Sequence, residues 1–263
     1  MSSPAPAPPR SALLACWTTA WLDGEAALPE LVQRVTAHDE GHLVSGLARD
    51  DLGLGQAVAR LRAAGVVRVR LVLPAPGDPV GLPGPGPFTA AALAASEGVV
   101  AVRLDGTGTG LVPSLASHGT ELDGTVTTVT WATYDVTVPP VDPGPFLHDA
   151  EHDLRVAVVD AVRELTALDV AQWDPAVAEA LRDLRRDARR GIDEDELPGS
   201  WPPRARDLLV RCRQLAAVVA LASSTSGGAV AAHEVAARDR ALRELGRTVR
   251  RARVAAYNAH GQS

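Results

Sequence analysis

Residues 66–73 read VVRVRLVL, and this octapeptide decides the fold class of the first half of the chain. Val67, Val69, Leu71 and Leu73 alternate with Val66, Arg68, Arg70 and Val72. Period-two patterning of β-branched residues predicts a strand with one apolar face and one face carrying two arginines. Immediately before it, a helical pattern over 55–64 stops at Gly65, a residue suited to the left-handed position that ends a helix. Immediately after it, LPAPGDPVGLPGPGPF (73–88) is too dense in proline and glycine for either regular structure and predicts a stiff loop.

Moving outward, Ser11 is placed to cap a helix over 12–22, Pro29 to open a second over 29–38, and 42–47 reads as a strand. Downstream, Thr89 caps an alanine-rich helix to 97. Strands follow over 99–104, 109–115 and 125–138, the last rich in Thr and Val. The order strand, helix, strand, helix, strand, strand, strand predicts parallel crossovers first and an antiparallel edge after them, a mixed sheet over 11–138. Residues 1–10 (MSSPAPAPPR) predict a disordered Pro-rich tail, and PPVDPGP (139–145) a linker. Beyond it, 146–263 predicts an all-α domain of four helices, at 146–169, 174–190, 202–224 and 229–258, packed like a four-helix bundle. The fold class expected is therefore α+β: a mixed α/β sheet domain followed by a helical domain.

Hydrophobic residues make up 46% of the chain and charged residues 22%, the balance of a chain that folds; aromatics are only 3%, so Ala, Leu and Val must fill the core. No lysine occurs, and Ile192 is the single isoleucine, a pattern of GC-rich codon usage. A net charge of −6 argues against general nucleic-acid binding. Cys16 and Cys212 stand alone in apolar contexts, which excludes zinc-finger spacing and predicts reduced, buried thiols. Leu13-Leu14-Ala15-Cys16 imitates a lipoprotein box, but Pro4, Pro6, Pro8, Pro9 and Arg10 occupy the place of the apolar stretch such a signal needs. No membrane span is expected, and a cytoplasmic location is. The loop LPAPGDPVGLPGPGPF, in a chain without lysine, resembles uncharacterised proteins of GC-rich actinobacteria. That resemblance implies the same cytoplasmic setting and brings no activity or site with it.

Three groups of residues are candidates for function. His148, Glu151 and His152 (HDAEH) match the inverted zinc-peptidase spacing, with two imidazoles one turn apart and a carboxylate as general base; Glu234 is the nearest third ligand by spacing. The helix seam Leu154, Ala157, Val158, Ala161, Leu165 and Leu168 puts both histidines on the polar side, which favours solvated side chains instead. Asp50, Asp51, Asp78 and Asp105 follow the predicted strands, and in a parallel sheet they would converge at one edge as a ligand-binding set, although Asp is common in turns. Arg240, Arg243, Arg247 and Arg250 form a stripe on the last helix opposite the seam Val235, Leu242, Leu245, Val249, Ala252 and Ala256, a face for an acidic partner or for phosphate. Two further motifs read as structure. Asp105–Gly110 (DGTGTG) lacks the following helix that phosphate binding requires and predicts a turn between strands, and the pair His38/His42 brackets a glycine in a loop.

The reading these patterns favour is a non-catalytic regulatory or scaffold protein. Its C-terminal helices would contact a protein partner or a second copy, and its sheet domain would sense a small ligand without a cofactor. The alternative is a metal-dependent hydrolase carrying zinc at His148, Glu151 and His152.

Overall fold

A computed structural model describes residues 8–120, 124–138, 145–167, 197–224 and 232–261. It divides into two compact units. Among the described residues, the first holds 8–138 and 197–201, the second 145–167, 202–224 and 232–261.

The first unit is a six-stranded sheet with helices on both faces. Its elements are α1 (Arg10–Leu22), α2 (Leu28–Thr36), β1 (Gly41–Ser45), β2 (Leu52–Gly53), α3 (Leu54–Ala63), β3 (Val66–Val72), α4 (Pro87–Ala95), β4 (Gly98–Arg103), β5 (Thr107–Thr120) and β6 (Gly124–Thr137). Strand order is β2-β1-β6-β5-β4-β3. The sheet is mixed, as the sequence predicts, but its pairing differs: β1 runs parallel to β6, and every other neighbouring pair is antiparallel. β1 and β3, expected as parallel neighbours, lie apart because the long β5–β6 hairpin occupies the centre. Helix α4 folds back after β3, so β4 returns antiparallel from the end where β3 stopped.

On one face α1 and α3 press Leu14, Leu54, Ala57, Val58 and Leu61 against Val44, Val69, Val99 and Leu111. On the other, Phe88 and Ala92 of α4 pack with Leu82 on Val72, Val100, Val112 and Val138. The two apolar faces explain the valine runs, since a sheet covered on both sides needs no polar alternation. Strand β3 departs from the expected alternation. A bulge between Val66 and Arg68 turns Val67 out to solvent and buries Val66, and Arg70 is buried rather than exposed. Helix α1 is mostly apolar and buried from Ser11 through Ala20. It also closes the edge of β3. The Thr19 hydroxyl donates to the Val69 carbonyl at 3.0 Å and accepts from the Val69 amide at 3.2 Å, occupying both backbone groups a further strand would use. Ser11 does not cap this helix; instead its amide donates to the Glu97 carboxylate at 2.9 Å.

The glycine run 105–110 opens in the turn between β4 and β5, and from Thr107 onward it lies in β5. Asp105 Oδ1 accepts from the Thr107 amide and hydroxyl, and Gly106 sits at φ +80°. Its other glycines are steric. A Cβ at Gly108 would lie 2.8 Å from the Ala101 carbonyl, and one at Gly110 would lie 2.2 Å from the Phe88 ring.

The second unit contains α5 (Leu147–Ala167), α6 (Pro203–Ser224) and α7 (Ala232–Tyr257), with α7 packed on both others. The helix expected over 174–190 lies outside the described residues. Leu154 and Ala161 of α5, Leu208, Leu209 and Cys212 of α6, and Leu242, Leu245, Val249, Ala252 and Ala256 of α7 are buried. Val235, predicted on the same seam, is exposed. No helix among the described residues is long and apolar enough to cross a membrane.

Candidate functional site

Parallel strands direct their carboxyl ends to one edge, where side chains from the following loops can meet a ligand. In this sheet the parallel pair is β1/β6. A cleft of about 260 Å³ opens where they end, lined by Gly46 and Leu47 after β1, Thr133 and Asp135 of β6, Arg103 and Thr109 of β4 and β5, and Arg60 of α3. Arg103 is held in place: its Nε donates to the Ala64 carbonyl at 2.9 Å and its Nη2 to Thr109 Oγ1 at 3.0 Å. Thr133 Oγ1 donates to the Ser45 carbonyl at 2.8 Å. A Cβ at Gly46, which has φ +92°, would fall 2.4 Å from that hydroxyl, so only glycine lets the β1 loop approach this closely. Two guanidiniums, the Asp135 carboxylate and two hydroxyls give this shaped edge a concave polar surface on which the positive charges outnumber the negative one.

At the opposite end of β1 a polar network is buried beneath α1. Asp39 accepts two bonds from Arg10, Nε to Oδ2 at 2.8 Å and Nη2 to Oδ1 at 2.6 Å. His42 Nε2 meets Asp39 Oδ2 at 3.0 Å, and Trp131 Nε1 donates to His42 Nδ1 at 3.3 Å. The His42 side chain is fully buried and that of Asp39 is 2% exposed. Because the indole can only donate, His42 must be neutral with its proton on Nε2. Both ring nitrogens are occupied, so His42 is a structural residue with no free nitrogen for catalysis.

Burial lowers the His42 pKa below its ordinary value, against the opposing pull of Asp39. For Asp39, burial pushes the carboxyl up, but hydrogen bonds from Arg10 and His42 prevail and hold it below the usual carboxylate range. Both folded-state values are depressed, so as pH falls the unfolded chain takes up protons that the folded chain refuses. Stability is therefore expected to fall from about pH 6.5 downward through His42, by at most about 1.4 kcal/mol per pH unit, and further below about pH 4 through Asp39. Urea midpoints measured between pH 7.5 and 5 should show the first loss, and His42→Gln should flatten it. An unchanged slope in that variant would place the titrating group elsewhere.

The residues singled out from sequence are distributed as follows. Asp50 and Asp51 after β1 and Asp105 after β4 are exposed at the same end of the sheet as the cleft, but none lines it. Asp78 is buried and follows β3, which runs opposite to β1; the expected convergence of the four carboxylates fails because β3 is antiparallel. His148 and His152 are exposed on α5, and Glu151 accepts from Arg204 Nη2 at 2.7 Å. Glu234 lies in the first turn of α7. Among the described residues, no three His, Cys, Asp or Glu side chains are gathered to hold a metal ion. Arg240 reaches Glu164 of α5 at 4.0 Å, Arg247 reaches Glu244 at 3.3 Å, Arg250 is half-buried, and Arg243 is exposed. Burial pushes the Cys212 thiol up to about 12, which makes it inert.

Sequence reasoning missed both the cleft and the buried network. Arg60 and Arg103 carry no motif, and they meet only because α3 and β4 end at the same edge. Asp39 and His42 belong to the segment expected as a loop, but His42 lies in β1, and the signal that marks them is an acid three residues before a histidine at the start of a strand.

Comparison with known proteins places this architecture. Residues 11–145 match the family model described as Rv1486c-like protein, N-terminal domain, and residues 148–254 match Rv1486c-like protein, C-terminal domain. Uncharacterized protein Rv1486c of Mycobacterium tuberculosis is 30% identical, with 95% of this chain and 96% of the relative aligned. Uncharacterized protein ML1804 of Mycobacterium leprae is 29% identical over the same shares, and uncharacterized protein MAV321 of Mycobacterium avium is 29% identical over 82% of this chain and 79% of its own. No solved structure matches the chain. With both domain models matched in order and relatives aligned along nearly its whole length, this chain belongs to the Rv1486c-like protein family of actinobacteria.

Proposed function

We propose that this protein is a non-catalytic regulatory protein of the cytoplasm whose sheet unit binds a small anionic ligand and whose helical unit engages a protein partner. The observation that carries the reading is the cleft at the ends of β1 and β6, where Arg60 and the anchored Arg103 stand beside Thr109 and Thr133. No nucleophile paired with a base lies among its lining residues, which favours binding over catalysis. For the partner, α5 offers exposed Val156, Val159 and Val162, and α7 offers Arg243. The apolar and arginine pattern of 174–190 supports a fourth helix that would complete a bundle with α5, α6 and α7.

Thermal unfolding in the presence of inorganic phosphate or malonate tests the ligand reading. At a hundredfold excess over the dissociation constant, binding adds about 2.7 kcal/mol to the folded state. The midpoint is expected to rise with either anion in the wild type and to rise far less in Arg60→Ala, whose side chain is exposed and makes no structural bond. A wild-type midpoint indifferent to every anion tried, or an equal rise in Arg60→Ala, would overturn it.

A further inference from the structure

The β5–β6 hairpin is longer than the sheet that holds it. Strand β4 accompanies β5 only as far as the pair Val99–Leu111, and β1 accompanies β6 only from Thr128 onward. Beyond those points the two strands continue paired with each other to Thr120–Gly124, so a two-stranded ribbon extends past the sheet. Among the described residues no other strand pairs with residues 112–120. Ser114 to Gly119 are exposed throughout, with Leu115 53% exposed and Val126, on the opposite strand, 46%.

The direction of the backbone groups on this edge follows from the neighbouring ladder. The Leu111 carbonyl faces Gly98, and the Ala101 carbonyl faces Gly108, which makes Val99–Leu111 and Ala101–Thr109 hydrogen-bonded pairs. Odd-numbered residues of β5 therefore turn their amides and carbonyls toward the side that β4 occupies. Where β4 has ended, Pro113, Leu115, Ser117 and Gly119 turn theirs toward the open edge. Pro113 has no amide to offer, so a pairing stretch begins at Ser114 and runs to Thr120, with Ser117 at its midpoint.

We propose that this edge pairs with the same edge of a second copy, β5 against β5, antiparallel about a two-fold axis at Ser117. In that register Ser117 faces Ser117 of the other copy and Leu115 faces Gly119, all of them residues whose backbone groups point outward. Ala116 then faces His118, so the two imidazoles never oppose each other. Charge favours a second copy. Residues 112–120 and 124–132 contain no Asp, Glu or Arg, in a chain whose net charge is −6. Two such chains repel over most of their surfaces and least along this ribbon. The ribbon also lacks the charges by which an edge selects a different protein. The contact is isologous and closes at two copies. It is independent of the anion cleft, which lies on other residues.

Sedimentation of the full chain, with cysteine trapping, tests the pairing. The wild type is expected as a dimer and Ser117→Pro as a folded monomer, because proline removes the central amide from both copies. Opposed residues of a hydrogen-bonded pair stand about 5.5 Å apart between Cα atoms, within reach of a disulfide. Ser117→Cys should therefore cross-link under mild oxidation, while Ala116→Cys, facing His118, should cross-link far less; Cys16 and Cys212 are buried and stay silent. A wild type that sediments as a monomer at every concentration overturns the proposal and leaves the edge to another protein's strand. A dimer in which Ser117→Cys and Ala116→Cys cross-link alike overturns it as well.

Discussion

Gly110→Ala is expected to destabilise the sheet unit about as severely as deleting the aromatic ring it faces. The added Cβ would lie 2.2 Å from Phe88 Cδ2, 2.6 Å from Cε2 and 2.7 Å from Cγ, so the whole ring must leave its site. Phe88 is 2% exposed and anchors α4 to the face formed by Val72, Val100, Val112 and Val138. Truncating such a residue to alanine costs about 3–5 kcal/mol. Overpacking that evicts it should cost at least about 2–3 kcal/mol. The diagnostic is the double mutant. In a Phe88→Ala background the ring is gone and the Cβ has space, so Gly110→Ala should add little further loss. Denaturant unfolding of the four proteins closes the cycle. Strictly additive losses would show that Gly110 is needed for its backbone and not for the ring, and the account of the glycine run would then be wrong.

Asp39→Ala is the second large effect expected. The carboxylate accepts from Arg10 twice and from His42 once. Its removal leaves a buried imidazole N–H and a guanidinium without their acceptor. Breaking one side of a buried ion pair costs about 3–5 kcal/mol. Arg10 retains 26% of its side-chain exposure and can turn to water, which lowers the expectation to about 2–4 kcal/mol. Trp131→Phe should cost less, about 1–2 kcal/mol, since it strands only the His42 Nδ1 acceptor. Equal losses in the two variants, measured by urea titration at pH 7, would mean that packing of α1 rather than the carboxylate holds this corner together.

The two effects share an origin in long-range pairing, and this is where reading the sequence reaches its limit. Val69, Leu71 and Val99 announce strands by their own patterning, Gly65 and Pro29 mark helix ends, and the Pro-rich stretch 139–145 stands where the second unit's helices begin. Such signals are local, because a residue's backbone preference depends on its own side chain and its nearest neighbours. His148 and His152 fall on the polar side of α5 for the same reason, since helical periodicity alone places them there.

Which strands become neighbours is not a local property. Nothing in residues 41–45 names residues 128–132 as their partners, yet that parallel pair creates the cleft and brings His42 under Trp131. The antiparallel return of β4 separates Asp78 from Asp50, Asp51 and Asp105, and joins Arg103 to Arg60 and Thr109 instead. Even the glycines at 108 and 110 acquire their meaning only when Ala101 and Phe88 are laid against them. The sequence by itself determined most of the described helices and strands, though neither β2 nor the full length of β5, together with the mixed α/β character of the first half and the helical character of the described part of the second. Tertiary structure alone decided the strand order, and with it every cluster of side chains from distant elements, because those contacts depend on the burial of two sheet faces at once rather than on any single segment's preference.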